Sequence, residues 1–556
     1  MLPTINTPDG RVEAFPVLTA AQIDRIRPFG KNRPVQAGEV LFEPGTPGIP
    51  CFVVLSGKLE IALPGLSGEH VFVTYGPGQF SGEVVLISGA RALSRGRVAE
   101  TGQFLEVGAD ALRTLIARDA ELSDIFMRAF LLRRVALISE GWGNVTLLGS
   151  QHSANTLRLR EFLTRNGHPY SYVDLDSDRD SQELLDRFDV RLDEIPVVIC
   201  SGTKVLRNPT NQKLAECLGF SGRVDASRVY DVVIVGAGPA GLAAAVYAAS
   251  EGLDAVVIES EFPGGQAGAS SKIENYIGFP MGISGQELAS RAVVQAEKFG
   301  AQMMVGEKVV KIQCEQRRYQ LTLENGGVFD TRSIVIATGA QYNRPKVDNL
   351  TQFEGQGIYY AATFMEAQLC KGEEVIVIGG GNSAGQAAVF LSENVRGVRM
   401  LVRGKELSDT MSRYLIQRIV ENPAIELHLQ TEIIAVEGDS HLERVTWVNR
   451  TTSEESVHDI RHVFVMAGAS PRTDWLRGCL ALDEQGFILT GRDLDPVLGT
   501  APVKWPLSRP PQMLETSLPA VYAVGDIRSG NVKRVASAVG EGSISIYLVH
   551  RALAEA

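Results

Sequence analysis

The chain has 556 residues, too many for one ordinary core, so three or four domains are expected. Hydrophobic residues make up 44% and charged residues 21%, and the first twenty residues lack the basic start and apolar stretch of a leader, which makes the cytoplasm the default location. A net charge of −11 without a strongly basic segment argues against nucleic acid, the 8 histidines show no metal-ligand spacing, and no apolar run is long enough to cross a bilayer.

Up to about residue 137, VLFEPG, CFVVLSGKLEIAL and HVFVTYGPGQF read as short strands between glycine and proline turns, the pattern of a small barrel. One helical stretch is expected from about Ala109 to Leu137. From about Asn144 to Gly219 the order is strand VTLLGS, helix NTLRLREFLTRNG, strand YSYVDLD, helix SQELLDRFDV, strand IPVVIC and helix NQKLAECLGF. Such alternation predicts a compact α/β unit. The polar stretch SGRVDASR, residues 221–228, reads as a linker.

Chemistry concentrates after Tyr230. The strand VVIV leads into Gly236-Ala237-Gly238-Pro239-Ala240-Gly241 and then an alanine-rich helix. Small residues let the backbone turn tightly and approach a diphosphate, which the helix N-terminus stabilises. Glu259 ends the next strand, where a carboxylate can accept hydrogen bonds from both ribose hydroxyls of an adenosine. A second unit repeats the plan: VIVI, then Gly379-Gly380-Gly381-Asn382-Ser383-Ala384. Its second strand ends in Arg403 and Lys405, near where the first unit has its acid. Cations there suit a 2′-phosphate and favour NADPH, with NADH the alternative and solvated surface charge the plain reading. Near the C-terminus, Val521-Tyr522-Ala523-Val524-Gly525-Asp526 is a strand ending in Gly-Asp, able to set a carboxylate and amides beside a flavin's ribityl and phosphate groups. Ile336-Ala337-Thr338-Gly339-Ala340 fits the turn where a flavin domain hands over to an inserted one.

At these residues the chain resembles the low-molecular-weight thioredoxin reductases over about 229–556. Gly264-Gly265-Gln266 resembles that family's GGQ loop, and Glu274-Asn275-Tyr276 its EN-aromatic turn. Arg534-Val535-Ala536 resembles the Arg-Gln-Ala that opens its last helix, with Val535 in place of the glutamine. The resemblance implies an FAD domain in two pieces, about 229–345 and 469–556, around an NAD(P) domain at about 346–468, and a homodimer. One departure bears on the chemistry. Where that family carries C-x-x-C, this chain reads Ala361-Ala362-Thr363-Phe364, and the 6 cysteines contain no C-x-x-C anywhere. Thiol–disulfide exchange needs an attacking and a resolving thiol, so the usual reduction of thioredoxin is not expected, and the catalytic residues are left open. Cys370 reads as a buried small residue, Cys314 and Cys479 are thiol candidates only by elimination, and a disulfide framework is not expected in a reduced compartment.

Two appendages precede this unit. The first, residues 1–140, resembles the cyclic-nucleotide-binding domains through Val54-Leu55-Ser56-Gly57 and the cassette Phe80-Ser81-Gly82-Glu83-Val84-Val85-Leu86. That resemblance implies Gly82 and Glu83 at the ribose and an arginine at the cyclic phosphate. Arg91 stands one position short of the usual place, with Arg95 beyond it. The second, 143–220, resembles a glutaredoxin or thioredoxin fold. Gln151-His152-Ser153-Ala154 stands at the active-site position and Glu194-Ile195-Pro196-Val197 at the cis-proline loop, but without cysteines at the helix start a docking or scaffold role is expected.

The reading is therefore an α/β chain with two Rossmann-like domains of thioredoxin reductase type behind a β-barrel and a small thioredoxin-like domain. The expected activity is oxidation of NAD(P)H through FAD, with electrons passed to an acceptor the sequence does not choose. The competing reading is a regulatory module whose barrel senses a cyclic nucleotide and whose flavin unit turns over little.

Overall fold

In the computed structural model the described residues are 8–65, 68–82, 86, 91–139, 145–151, 153–176, 191, 194–200, 204–220, 224–270, 272–313, 318–439, 441–497 and 505–555. Helices α1 (Pro8–Ala14) and α2 (Ala20–Ile26) precede strands β1 (Lys31–Val35), β2 (Val40–Phe42), β3 (Cys51–Gly65), β4 (Gly68–Tyr75) and β5 (Arg95–Val107). The sheet runs β1-β5-β3-β4 with β2 also paired to β5, and alternating side chains such as Phe52, Val54 and Phe104 fill one apolar core. The single helix expected after it is broken into α3 (Ala109–Arg118) and α4 (Ala120–Ser139). Asp119 causes the break: its amide closes the first helix on the Leu115 carbonyl, and its Oδ1 accepts the Leu122 amide at 3.0 Å to start the second.

The next module comprises β6 (Val145–Gly149), α5 (Ala154–Arg165), β7 (Ser171–Asp174), β8 (Val197–Cys200), β9 (Lys204–Arg207) and α6 (Asn211–Leu218). Its sheet order is β7-β6-β8-β9, with β7 parallel and β8 antiparallel to β6. The Ile195–Pro196 bond is cis. Strand β9 had no signal beyond KVLR, and the helix expected over SQELLDRFDV lies outside the described residues.

Two parallel sheets follow. The first is built from β11 (Val232–Val235), β12 (Ala255–Glu259), β13 (Gln302–Val305) and β17 (Ile334–Ile336), with helices α7 (Pro239–Ser250) and α8 (Gly285–Phe299), while β10 (Val229–Tyr230), β14 (Val309–Gln313), β15 (Tyr319–Leu323) and β16 (Val328–Thr331) form a separate sheet in the order β10-β16-β15-β14. The chain then crosses on β18 (Ala340–Tyr342) to β19 (Ile358–Tyr359), α9 (Phe364–Leu369), β20 (Glu374–Ile378), α10 (Asn382–Ser392), β21 (Gly397–Val402), α11 (Arg413–Glu421) and β22 (Ile425–Leu429). It continues through β23 (Thr431–Gly438), β24 (Leu442–Asn449), β25 (Glu454–His458) and β26 (His462–Val465), and recrosses on β27 (Ala469–Pro471) to β28 (Val521–Ala523) and α12 (Val535–Glu555).

The first parallel sheet has the order β13-β12-β11-β17-β28 and the second β19-β26-β20-β21-β22. Strand β28 thus completes the first sheet although nearly two hundred residues separate it from β17. Strands β18 and β27 pair with each other, and this two-stranded ribbon joins the halves. Both central strands, β11 and β20, are buried on both faces, which is why they read as unbroken apolar runs. Helix α7 buries Ala240, Ala244, Ala245 and Ala248, and α12 closes on it at Gly542, where a Cβ would stand 2.2 Å from the Ala240 carbonyl oxygen. No helix among the described residues is long and apolar enough to cross a membrane.

The cysteines require a correction. Cys51, Cys200, Cys217 and Cys370 are free, but Cys479 is disulfide-bonded, contrary to the expectation of no disulfide. Its sulfur lies 3.5 Å from the Ile312 carbonyl oxygen, packed against the end of β14 by the turn after Leu476. Residue 314 lies outside the described residues.

Candidate functional site: two nucleotide cradles

Strand β11 delivers the first glycine loop at the carboxyl edge of its sheet. Gly236 adopts φ 102°, and a Cβ there would meet the Ala337 carbonyl oxygen at 2.5 Å. At Gly241 a Cβ would stand 1.9 Å from the Gly236 oxygen, so helix and turn close only around a glycine. Gly238 is different: it caps α7 with no side-chain hydrogen bond, Pro239 follows at the first helical position, and nothing lies within 4 Å of its missing Cβ. Open space in front of uncapped helix amides is the setting an anionic diphosphate fills.

The predicted partners converge on this loop. Glu259, at the end of β12, accepts the Ala237 amide at 2.7 Å through Oε2 and the Glu261 amide at 2.9 Å through Oε1. Burial raises its pKa, opposed by these two hydrogen bonds. The GGQ loop folds over the cradle: the Gly264 amide donates to the Ala237 carbonyl at 2.7 Å, and a Cβ on Gly265 would be 3.3 Å from the Gly238 Cα. Gly264 and Gly265 take φ 102° and 53°, backbone that glycine adopts without strain. Gln266 donates from Nε2 to the Ala340 carbonyl, tying the loop to the crossing ribbon. Thr338 and Gly339 follow β17, and the Thr338 hydroxyl is buried with no protein partner. Gly525 packs on α7, its missing Cβ 3.1 Å from the Ala240 Cβ, and its amide donates to Glu541 at 2.7 Å. Asp526 beside it is partly buried, and that burial raises its pKa, with Lys533 opposing.

The orphan Thr338 hydroxyl, the open Gly238 and the uncapped α7 together fit an FAD. Three expected residues stand further out. Asn275 is exposed on a loop whose Glu274 is ion-paired to Arg418 of α11 at 2.7 Å. Arg534 and Ala536 are exposed at the head of α12, with Val535 half-buried between them.

The second cradle repeats the geometry. Gly379 has φ 139° and a Cβ there would meet the Met466 carbonyl oxygen at 2.5 Å. Gly381 caps α10 without a side-chain hydrogen bond. Asn382 is used structurally, its Oδ1 accepting the Ser412 amide at 2.7 Å, and Ala384 is buried under the loop. Ser383 is exposed, and its hydroxyl hydrogen-bonds Tyr342. Arg403 and Lys405 are exposed beyond the end of β21, where cations can reach a 2′-phosphate. Tyr342 escaped sequence reasoning. It lies on β18 between the cradles, touched by Ser383 on one side and by the charge of Asp526 on the other, and burial pushes its pKa up. No local motif marks it, because it matters only through the ribbon that carries it.

In the stretch Ala361–Phe364, where the resemblance led to the expectation of a dithiol, Ala362 is buried and the Thr363 amide donates to Glu366 at 2.9 Å, closing the first turn of α9. Cys370 is fully buried and its thiol pKa is pushed up by that burial, the inert state expected of it. A thiol pair does occur elsewhere. Cys200 at the end of β8 and Cys217 on α6 pack in one core, and the Cys217 thiol is pulled down from its ordinary value by its neighbour Cys200, with Lys204 and Arg91 adding to the effect against the opposing cost of burial. By sequence Cys200 lies beyond the proline strand, away from the helix start where a thioredoxin-like thiol is expected, and 17 residues separate it from Cys217; only the fold of β8 against α6 joins the two.

In the barrel a cavity is bounded by Phe42, Ile61, Tyr75, Gly82, Ser94 and Arg133. Arg133 of α4 is buried, donating to the carbonyls of Ala14 at 2.8 Å and Gly82 at 2.7 Å. Arg91 is exposed and does not line this cavity; it is bridged to Pro47 and donates to the Gly45 carbonyl at 3.1 Å, while Arg95 pairs with Glu43 at 2.8 Å and with Glu69. Glu83 lies outside the described residues. Among the described His, Cys, Asp and Glu no cluster could hold a metal ion.

Comparison with known proteins agrees with both halves of this picture. The pyridine nucleotide-disulphide oxidoreductase family matches residues 230–542, and the cyclic nucleotide-binding domain matches 32–119. Thioredoxin reductase of Bacillus subtilis is 29% identical over 329 residues, 59% of this chain and 96% of that protein. The Mycolicibacterium smegmatis enzyme is 31% identical over 328 residues, 59% of this chain and 97% of its own. Among solved structures, Lactococcus lactis thioredoxin reductase in its FR conformation superposes with TM-score 0.53 at 26% identity, covering 59% of this chain and all of that one. That of T. acidophilum gives 0.52 at 31%, covering 58% and 98%.

Proposed function

From the premise that the chain belongs to the pyridine nucleotide-disulphide oxidoreductase family and is an FAD-dependent NAD(P)H oxidoreductase, we propose that its electrons leave the flavin for an acceptor other than a thioredoxin disulfide. The observation that carries this reading is the stretch Ala361–Phe364: a buried alanine and a threonine hydrogen-bonded to Glu366 stand where the related enzymes' dithiol is expected, and Cys370 is sealed in the core. FAD, when bound, takes a hydride equivalent from the nicotinamide and passes electrons onward. The chain's part is to hold the two groups: Gly236–Gly241, Glu259, Thr338 and Asp526 around one, Gly379–Ser383 with Arg403 and Lys405 around the other. NADPH is the preferred donor in this reading, supported by the two exposed cations at the end of β21. The protein acts in the cytoplasm as a homodimer, a state supported by the apolar Ile277, Met281, Ile544 and Tyr547 left exposed on the flavin-binding half.

Anaerobic titration tests the reading. The purified protein is expected to be yellow, to bleach with NADPH at lower concentration than with NADH, and to reoxidise with quinone, ferricyanide or oxygen but not with oxidised thioredoxin. Rapid thioredoxin-dependent reoxidation would overturn it. The barrel supports a second, regulatory role, since its family match spans residues 32–119 and its Arg91 touches the following module.

A further inference from the structure

We infer that Arg165, on the small α/β module that precedes the flavin-binding half, is a positioning residue for FAD. The inference rests on reading the first cradle as the FAD site. Arg165 ends α5, yet its side chain leaves its own module and enters the other: it is 9% exposed, its guanidinium carbon sits 3.5 Å from the centroid of the Phe262 ring, and Nη2 donates to the Gly265 carbonyl at 2.5 Å. Glu161, one turn earlier, accepts from Nη1 at 3.1 Å and orients the fork. The carboxylates of Glu261 and Glu366 also act on this charge. Nε is buried with no partner. A buried cation is costly to place. Here it is compensated by one carboxylate, one carbonyl and one aromatic face, two of which belong to the flavin-binding half.

The consequence lies in what Gly265 does. Its peptide carbonyl is held by Arg165, the preceding amide of Gly264 donates to Ala237, and the Ala237 amide donates to Glu259. One continuous line of hydrogen bonds therefore runs from the appended module through the GGQ loop to the diphosphate turn and the ribose acid. Gly264 and Gly265 are both in left-handed backbone, which by itself leaves the loop free to rearrange. The guanidinium on the Gly265 carbonyl selects one arrangement, that in which Gly265 stands against Gly238 and Gln266 reaches Ala340. The neighbouring contacts, Asn166 Nδ2 to the Glu261 carbonyl at 3.3 Å and Gln286 Nε2 to the Arg165 carbonyl at 2.8 Å, keep the helix end in register. A module without cysteines at its helix start thus has a use: it supplies the outer wall of the flavin cradle.

The test compares Arg165→Met, Arg165→Lys and Gln212→Ala in the full chain, reading FAD dissociation by flavin fluorescence and the shape of the visible absorption bands. Gln212 docks the same module through Glu307 at 3.5 Å, away from the GGQ loop, and serves as the control. Arg165→Met keeps the stem over Phe262 and is expected to weaken FAD binding by about 10- to 100-fold, the worth of one charge-assisted hydrogen bond. Arg165→Lys, which keeps the charge, is expected to bind FAD more tightly than Arg165→Met, and Gln212→Ala to bind like wild type. Wild-type FAD affinity and spectrum in folded Arg165→Met, or an equal loss in Gln212→Ala, would overturn the inference. Should Arg165→Met fail to fold by circular dichroism, Arg165→Gln replaces it: a several-fold loss relative to Arg165→Lys supports the inference and wild-type affinity in Arg165→Gln overturns it. A wild-type chain that takes up no FAD fails the cofactor reading instead.

Discussion

Cys217 illustrates how a single side chain acquires chemistry from its surroundings. A free thiol has a pKa near 8.5, and only the thiolate attacks. The neighbouring Cys200 thiol stabilises the thiolate, Lys204 and Arg91 add positive charge, and the Cys217 thiol is lowered despite its partial burial. Cys51 and Cys370, by contrast, are buried and pushed up. Iodoacetamide is therefore expected to label Cys217 first in the folded protein, with a rate that rises to half its maximum at a pH below that of an ordinary thiol. Cys200→Ala, which removes the neighbouring thiol, is expected to move that midpoint upward. Peptide mass spectrometry across a pH series checks both, and labelling of Cys51 as fast as Cys217 at neutral pH would contradict the account.

At the scale of elements, the strand–turn–helix units separate the glycines that packing requires from those that face open space. Gly241 sits where α7 crosses the turn, and a methyl there would collide with the Gly236 oxygen at 1.9 Å. Overpacking of this kind costs roughly 1–3 kcal/mol or more. Gly241→Ala is thus expected to lower the melting temperature of FAD-free protein by several degrees. Gly238 has ordinary backbone at φ −70° and no neighbour within 4 Å, so Gly238→Ala is expected to melt like wild type without FAD while losing FAD affinity, because its methyl takes the diphosphate's space. Thermal melts with and without added FAD separate the two. The motif was legible from the string of small residues, but the spacing alone assigned every glycine the same role.

For the whole molecule, the contacts form a path. Arg91 of the barrel lies against Gly219, where a Cβ would approach its Nε to 2.8 Å, and its charge acts on Cys217. The same module then reaches the flavin loop through Arg165. Arg95 is committed to Glu43 and Glu69, whereas the exposed Arg91 donates to the Gly45 carbonyl and is the arginine this prediction tests for a cyclic phosphate. Cyclic AMP is accordingly expected to give calorimetric heat that is lost in Arg91→Ala, and, by drawing Arg91 off, to slow the alkylation of Cys217. Heat without any change at Cys217 would break the proposed link, and no heat at millimolar ligand would remove the barrel's regulatory role.

Local chemistry determined much of this protein. Runs such as VVIV and VIVI followed by closely spaced glycines mark strand–turn–helix units because backbone sterics permit little else, and Glu259, Arg403 and Lys405 follow at distances set by one helix and one strand. Asp119, which splits the helix after the barrel, was visible as an aspartate but not as a break, since its capping role depends on helices on both sides. What only the tertiary structure decided are the contacts between residues far apart along the chain: β28 closing the first sheet, Tyr342 set between two cradles, Cys200 beside Cys217, Cys479 in a disulfide, and Arg165 buried in a neighbouring module. Such contacts arise from packing of whole elements, whose free energy depends on surfaces assembled from distant segments, and no pattern of a few consecutive residues encodes them.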